Sequence, residues 1–392
     1  MVDGQQASKD LLASRLSLVK SLGSRLVYSA KSIRHSPDRQ EQMVNLIKSG
    51  RRDGMSIYSG LIEQTIRKTQ ADVQVLEFDE KSAPSDPLRT IGGTTIVAVT
   101  PGHIPMSQVQ YSRAFSRRIC RVAVFMWDVD VIPSRFSFGL KFTDEAWTAS
   151  TMGADYLSAA VSQPVVYFPA PILPPNPRPR GVFRKRLGLG DKFVVAYQFD
   201  IGSSARRKNP GAAIDIYRAA FPKDTGETHL VLKCTRAEES STEWRDLVEA
   251  KGSRDDITLV NDFWEHDYVS DMFADIDCYL SPHRSEGYGL TVAEAVANGA
   301  FVITTAHGGP VDFMDANNCG LIPCRLVPVG TDPIYPAEAK WAEPNVDAAT
   351  DLLRDAFENR DRTREMALRA RDHALQTFTL ERAADWIMSR LR

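Results

Sequence analysis

Two glutamates lie on either side of a glycine turn in the segment SPHRSEGYGLTVAEAVANG, Ser281–Gly299. Glu286 precedes Gly287 and Gly289, and Glu294 follows them. The apolar residues before the turn predict a buried strand, and those after it predict a helix. The free N–H groups and the positive dipole end of such a helix favour an anion, and glycine lets a ligand approach the backbone closely. The turn therefore predicts a phosphate site, with carboxylates that reach past the phosphate to accept hydrogen bonds from hydroxyl groups.

A structural explanation of the same residues remains open at this point. Thr291 and Glu294 have the spacing of a helix capping box, and Glu286 would then only satisfy a local backbone donor.

A second loop carries three consecutive cations, Arg206, Arg207 and Lys208, just before Pro210 in QFDIGSSARRKNPGAAIDIYRAAF. The proline suits the first position of a helix. A run of cations is often only a solvated surface. At the carboxyl end of a cleft-lining strand, however, these cations would face the glycine turn. Together the two loops indicate a diphosphate.

Alternating apolar runs and helical patterns must position these loops, which is typical of parallel sheets covered by helices. A proline-dense segment, Phe168–Gly181, separates two such units and reads as a stiff hinge. We predict α/β architecture with two Rossmann-like domains facing across a cleft, the usual ligand position outside the carboxyl ends of strands. The predicted boundaries are residues 1–40 for an N-terminal amphipathic helical extension, 41–175 for the first domain, 181–375 for the second, and 376–392 for a C-terminal helix that packs back on the first domain. The predicted strands are Met43–Ile47, Val73–Phe78, Thr95–Val99, Val122–Phe125, Ala146–Thr148 and Val165–Tyr167 in the first domain, and Phe193–Phe199, His229–Lys233, Ile257–Val260, Cys278–Ser281 and Phe301–Thr304 in the second.

The bulk composition is that of a folded globular protein. The chain has 392 residues, 43% of them hydrophobic and 25% charged, with a net charge of -2. That charge gives no reason to expect a nucleic-acid partner. The five scattered cysteines include no CxxC pair, which favours a reducing compartment. The polar opening and the lack of an apolar run of ~20 residues predict a cytoplasmic protein.

The segment Ser8–His35 carries six Lys or Arg and one acid, with leucines at helical spacing. One interpretation is peripheral contact with an anionic membrane at its inner face. The other is a solvated helix that packs on its own domain or on a second copy of the chain; Gly23 weakens the helix. The sequence leaves the oligomeric state open.

Motifs of other nucleotide enzymes are missing from the sequence, namely GxGxxG and GxxxxGK[ST]. The segments HRSEGYGLTVAEAVANG, FDIGSSARRKNP and TTAHGGPVDFM instead resemble the family 4 glycosyltransferases, retaining GT-B enzymes with an E-x7-E motif, especially their bacterial mannosyl- and glucosyltransferase branch. In the first half, VAVFMWDVDVIP and FTDEAWTAS are similar to the same branch, with a weaker match.

The resemblance implies a role for each matching position. Glu294 would hold the ribose hydroxyls, and Glu286 would contact the donor sugar. Arg207 and Lys208 would neutralise the diphosphate. The backbone amides expected to complete the phosphate cradle are those of Gly287, Tyr288, Gly289 and Leu290.

In the first domain, His103 in TPGHIP and Asp128 in FMWDVD are the polar residues expected to face the cleft. Each also has a structural explanation, as a helix cap or a satisfied core group. The resemblance adds no metal ion or other cofactor, since fixed cations at the diphosphate stabilise the leaving group.

These observations predict a retaining hexosyltransferase. It would move a sugar from UDP or GDP to a saccharide or lipid-linked acceptor, in cell-surface polysaccharide or glycan synthesis. Two alternatives remain: a catalytically silent nucleotide-sugar-binding scaffold, and an epimerase or hydrolase of the same fold.

Overall fold

A computed structural model describes residues 43–50, 54–81, 93–115, 119–176 and 178–391 of the chain. The helical extension predicted for residues 1–40, including the basic segment 8–35, lies outside the described residues.

The first domain is built on a six-stranded sheet of order β2-β1-β3-β4-β5-β6, in which every pairing is parallel. Along β3 the side chains of Ile96 and Ala98 enter one core cluster, and those of Val97 and Val99 enter the cluster on the other face. This two-sided burial is why the strands read as continuous apolar runs. The elements are β1 Met43–Ser49, α1 Gly54–Lys68, β2 Asp72–Phe78, β3 Thr94–Ala98, α2 Ile104–Gln110, β4 Cys120–Phe125, α3 Ser134–Leu140, β5 Glu145–Thr148, α4 Thr151–Ser158 and β6 Val165–Tyr167.

The second domain holds another parallel six-stranded sheet, of order β12-β11-β10-β7-β8-β9. In this doubly wound arrangement the strand order runs outwards in one direction from β7 to β9 and in the other from β10 to β12. A crevice opens at the carboxyl ends of the two central strands, β7 and β10. Its elements are α5 Val182–Leu187, β7 Phe193–Asp200, α6 Ala205–Lys208, α7 Pro210–Ala220, β8 Thr228–Thr235, α8 Thr242–Lys251, β9 Ile257–Asn261, α9 His266–Asp275, β10 Cys278–Ser281, α10 Leu290–Asn298, β11 Phe301–Thr305 and β12 Gly320–Ile322.

An antiparallel hairpin follows this sheet, formed by β13 Cys324–Pro328 and β14 Lys340–Pro344. Three helices complete the chain: α11 Val346–Glu358, α12 Arg360–Thr377 and α13 Leu380–Met388. Helix α13 crosses to the first domain, where Trp386 packs edge-on against Trp147 at 4.9 Å between ring centroids. Next to this crossing, Ile172 N donates to Phe378 O at 2.8 Å, so the proline-dense segment runs alongside the return of the chain.

The predicted fold class, two parallel-sheet α/β domains, is confirmed. The eleven strands predicted within the two sheets all form, with bounds that differ by at most two residues. Strands β12, β13 and β14 were not predicted from the sequence. None of the described helices has both the length and the apolar content needed to cross a membrane.

Candidate active site

The glycine turn after β10 leads directly into α10. Gly289 is the N-cap of the helix, with φ of 90°, and no side chain caps the first turn. A Cβ at this position would lie 2.8 Å from Pro310 Cγ. Both the positive φ and the close approach therefore require glycine. Because the helix begins at Leu290, Thr291 is inside it, and the capping-box alternative is wrong.

The cation loop after β7 folds against this turn. Arg207 and Lys208 end the short helix α6, and Pro210 opens α7 as predicted. Hydrogen bonds to the backbone join the loops: among them, Arg284 N donates to Arg207 O at 2.7 Å, and Asn209 Nδ2 donates to Pro282 O at 3.0 Å. The two predicted anion-binding segments therefore form one structure at the crevice of the second sheet.

Two cations and two carboxylates meet where these loops join. Lys208 Nζ donates to Glu286 Oε1. Arg207 Nη1 lies 3.4 Å from Glu286 Oε2 and 3.4 Å from Asp128 Oδ1, and it donates to Ser285 O at 2.7 Å. Arg207 and Glu286 are 5% and 8% exposed, so these charges are withdrawn from solvent. Asp128 comes from the first domain, so this charge cluster crosses the cleft.

The electrostatics of the cluster keep Glu286 ionised. Burial alone would raise the pKa of this carboxyl, but Lys208 and Arg207 outweigh burial and lower it to about 2. Burial also lowers the pKa of the neighbouring His283 to about 3, and the positive charges of Lys208 and Arg207 act in the same direction. His283 is therefore a neutral imidazole at physiological pH.

Glu294 lies one turn along α10 from the glycine turn and behaves in the opposite way. Burial raises the pKa of its carboxyl to about 7, and the nearby Lys233 only partly compensates. The ionised form of this carboxyl is therefore disfavoured at neutral pH.

The two first-domain candidates occupy different places. Asp128 joins the charge cluster, and its Oδ1 would be 3.2 Å from a Cβ built on Gly287. His103 instead lies 3.3 Å from Glu80 and lines a small pocket with Gly50 and Asp79, at the carboxyl ends of β1 and β2.

The remaining predicted residues belong to the turn itself. Tyr288 is buried, its hydroxyl donates to Ala170 O at 3.4 Å, and its ring lies 5.5 Å from that of Tyr58 in α1. Leu290 Cδ1 would lie 3.8 Å from a Cβ on Gly54, the first residue of α1. The turn therefore contacts the first domain directly.

A glycine pair after β11 supports the turn from behind. Gly309 N donates to Glu286 O at 2.8 Å. A Cβ on Gly308, with φ of 88°, would stand 2.5 Å from Glu286 O. These glycines explain part of the TTAHGGPVDFM segment, because only glycine permits so close an approach to Glu286.

Several buried polar atoms along this edge have no hydrogen-bond partner among the described residues. They are Gln198 Oε1, Arg207 Nε, Ser281 Oγ, His283 Nδ1 and His307 Nε2. Buried polar atoms are usually paired in native proteins. Their concentration at one edge is what a site for a polar ligand requires.

Sequence reasoning missed one element of the site. Tyr335, in the hairpin loop, donates to Asp128 Oδ2 at 2.5 Å. The only sequence signal was the aromatic and proline-rich composition of YPAEAKWAEP, which indicates neither a strand nor a contact. In the described ranges no group of three His, Cys, Asp or Glu side chains is placed to hold a metal ion.

Comparison with known proteins identifies the second domain. Residues 195–323 match the family model described as "Glycosyl transferases group 1". The lipopolysaccharide glucosyltransferase WaaG of Escherichia coli K12 is 27% identical over 146 residues, which are 37% of this chain and 37% of WaaG. The match thus covers little more than a third of that relative. The chain carries a glycosyltransferase domain, and the predicted enzyme class is confirmed at that level.

Solved structures share the fold of both domains, over 89% of the chain. Anabaena HepE, in complex with UDP and glucose, aligns with a TM-score of 0.65 and 14% identity over 89% of this chain and 99% of HepE. Sucrose-phosphate synthase of Thermosynechococcus elongatus aligns with a TM-score of 0.63 and 15% identity over 89% of this chain and 98% of its own. At these identities the likeness establishes the fold alone, and the predicted GT-B architecture is confirmed.

Proposed function

We propose that the protein is a retaining glycosyltransferase of the family 4 type, which moves a hexose from a nucleotide-diphosphate sugar to a saccharide or lipid-linked acceptor without a metal ion. The observation that carries the proposal is the position of Arg207 and Lys208. Both contact Glu286, the residue that opens the glycine turn before the uncapped N-terminus of α10, at the crevice of a doubly wound sheet. Side-chain cations and free helix amides together suit a diphosphate.

The proposed chemistry breaks the bond between the anomeric carbon and the diphosphate oxygen. A new bond forms on the same face of the sugar, between the anomeric carbon and the acceptor oxygen. The departing phosphate oxygen takes the proton of the acceptor hydroxyl. Arg207 and Lys208 stabilise the negative charge that develops on this leaving group.

The carboxylates take binding roles in this scheme. Glu286 faces the hydroxyls of the donor sugar once the diphosphate draws Lys208 away. Glu294 accepts hydrogen bonds from the ribose hydroxyls, which would favour the ionised form of its carboxyl. UDP is the first nucleotide to test, because the structurally similar HepE is complexed with UDP and glucose.

The acceptor side and the cellular setting belong to the same proposal. The first domain would present the acceptor at the cleft. The reaction would then serve cell-surface polysaccharide or glycan synthesis on the cytoplasmic side of the membrane, with peripheral contact through residues 8–35. Vesicles containing anionic lipid should bind the full chain more strongly than a variant in which the basic residues of that segment are replaced by glutamine.

Thermal stabilisation by UDP, GDP, uridine and guanosine tests the nucleotide site. We expect stabilisation by one nucleoside diphosphate and much less by its nucleoside, because the cations contact the phosphates. Equal stabilisation by the preferred nucleoside diphosphate and by its own nucleoside, uridine or guanosine, would contradict the assignment of Arg207 and Lys208.

Turnover tests the reaction. With the preferred nucleotide sugar, Lys208→Ala should lower kcat by roughly 100-fold, the usual loss of about 3 kcal/mol for one preorganised donor. The matched control is Lys223→Ala, since Lys223 is exposed in the same domain. A wild-type protein that binds the nucleotide but transfers no sugar to any acceptor would instead be a scaffold. Rapid conversion of the donor without acceptor would indicate an epimerase or hydrolase.

A further inference from the structure

The hairpin loop of residues 329–339 leaves the second domain and enters the core of the first. Tyr335, Ala339 and Trp341 are buried in the hydrophobic cluster that contains Trp127. The rings of Trp127 and Tyr335 lie 5.1 Å apart between centroids. This loop is therefore a packed wall of the cleft.

The base of the loop is fixed to the cation loop of the second domain. Asp332 Oδ2 accepts a hydrogen bond from Ser204 Oγ at 2.8 Å. Asp332 Oδ1 accepts from the backbone N–H groups of Ile334 and Tyr335, at 2.8 and 3.2 Å. One aspartate thus links the loop that carries the cations to the backbone that aims Tyr335.

A second backbone contact holds the far end of the loop to the first domain. Lys340 N donates to Asp130 Oδ1 at 2.7 Å. Tyr335 therefore lies between one anchor in each domain, and its position depends on how the two domains are arranged.

The hydroxyl of Tyr335 is hydrogen-bonded to a charged residue of the candidate active site. It donates to Asp128 Oδ2 at 2.5 Å, while Asp128 Oδ1 lies 3.4 Å from Arg207 Nη1. One oxygen of the Asp128 carboxylate thus accepts a hydrogen bond from Tyr335, and the other contacts Arg207. Because Tyr335 and Arg207 are 6% and 5% exposed, this chain of contacts is shielded from water.

We infer that Tyr335 is a positioning residue for the proposed transfer reaction, acting through Asp128. Its hydrogen bond fixes the orientation of the carboxylate, and the carboxylate fixes the guanidinium of Arg207 at the place where the diphosphate binds. The inference rests on the proposed function and adds a residue from an element outside both phosphate loops. Hydrogen bonds to charged groups are among the stronger ones, so the effect should be measurable.

The experiment is a double-mutant cycle on turnover of the nucleotide sugar, using Tyr335→Phe, Asp128→Asn and the double variant. We expect Tyr335→Phe to lower kcat by about tenfold, since a hydrogen bond to a charged group is lost. The donor KM should change by less than about threefold, because the misplaced charge matters most in the transition state. In the Asp128→Asn background the same substitution should change kcat by less than about twofold, because the two residues act as a unit.

Tyr217→Phe is the matched control. The buried Tyr217 also donates to an aspartate, Asp256 Oδ2 at 3.1 Å, but in the outer part of the second domain. It should lower the urea midpoint of unfolding without lowering kcat. Asp332→Ala serves as a second variant with the Tyr335 hydroxyl intact, and it should reproduce the loss of kcat because the loop loses its anchor.

Three results would overturn the inference. One is wild-type kcat in both Tyr335→Phe and Asp332→Ala. Another is an undiminished effect of Tyr335→Phe in the Asp128→Asn background, which would show that Tyr335 acts independently of Asp128. The third is an equal loss of kcat in Tyr217→Phe. A wild-type protein without turnover of any nucleotide sugar would overturn the proposed function as well, and the wild type alone reveals that outcome.

Discussion

Replacing Glu294 with glutamine should stabilise the ligand-free protein and weaken its binding of nucleotide. Burial raises the pKa of Glu294 to about 7, above the ordinary glutamate value of 4.5. A carboxyl with a raised folded-state pKa favours folding when it is protonated. The favourable contribution of the protonated carboxyl to the free energy of unfolding is therefore lost as the pH rises from the pKa in the unfolded chain towards the pKa in the folded protein. Glutamine keeps the shape of the side chain and removes this charge.

The size of the effect follows from the two pKa values. A rise in pKa from 4.5 to about 7 makes the ionised form less favourable in the folded protein by about 3 kcal/mol, because each pKa unit corresponds to about 1.4 kcal/mol. At pH 8 nearly the whole of this difference applies, whereas at pH 5 it is about 1 kcal/mol. Glu294→Gln should therefore raise the free energy of unfolding by about 3 kcal/mol at pH 8 and by much less at pH 5.

Urea unfolding at the two pH values measures the stability, and calorimetric titration with UDP measures the binding. If the ribose hydroxyls need the ionised carboxylate, UDP affinity of the wild type should fall by about tenfold from pH 8 to pH 6. A terminal phosphate also titrates near pH 6, with pKa about 6. The ratio of wild-type to Glu294→Gln affinity removes that common contribution. Equal stability of the two proteins at pH 8, together with a pH-independent affinity ratio, would refute the reasoning.

Two further substitutions test the packing around the site. Gly308→Ala should lower kcat by at least about tenfold, because its Cβ would displace the backbone of Glu286 from a separation of 2.5 Å. The control Gly226→Ala should leave kcat unchanged, since Gly226 has a similarly positive φ, no atom within 4 Å of its Cβ, and a place in the exposed loop before β8. Equal losses of kcat in the two glycine variants would reject this explanation. Trp386→Ala should lower the free energy of unfolding by about 3 kcal/mol in a urea titration, since it removes the aromatic contact of α13 with the first domain. The control on the same helix, Met388→Ala, should change the free energy of unfolding by less than about 1 kcal/mol, because Met388 is 37% exposed. A similar loss of stability in both would show that the ring contact is unimportant.

The sheets were predictable because their strands are buried on both faces. Runs such as FVVAYQFD and THLVLKCT have an apolar centre of three or more residues, and most of their side chains are buried. Strand β13 lacks this signal, since its side chains are half-buried or exposed and none is buried. Strand β12 has three residues, GLI, and lacks the adjacent β-branched residues that marked the equally short β6, VVY.

The second-domain half of the site was predictable for a similar reason. Each anion-binding segment directly follows a strand, and the carboxyl ends of neighbouring parallel strands lie at the same edge. The contact between Asp128 and Tyr335 joins residues 207 positions apart, and no local pattern encodes it. Likewise, sequence patterns could not show whether His103 or Asp128 reaches the site, because both follow strands of the first sheet. Only the orientation of the two domains brings Asp128 to Arg207 and leaves His103 beside Glu80.

The charge balance of the site gives the two carboxylates of the cluster a further part in the proposed reaction. Arg207 and Lys208 would be costly to bury alone, because a buried charge without a partner loses several kcal/mol of hydration. Glu286 and Asp128 neutralise them in the ligand-free protein. In the proposed reaction a diphosphate would bring its own negative charge and take over the cations, which would release Glu286 towards the sugar once the donor is in place. Because the incoming phosphate must displace these carboxylates, the site gives up some affinity for any anion. It keeps its strongest contacts for a ligand that also offers hydroxyl groups to Glu286.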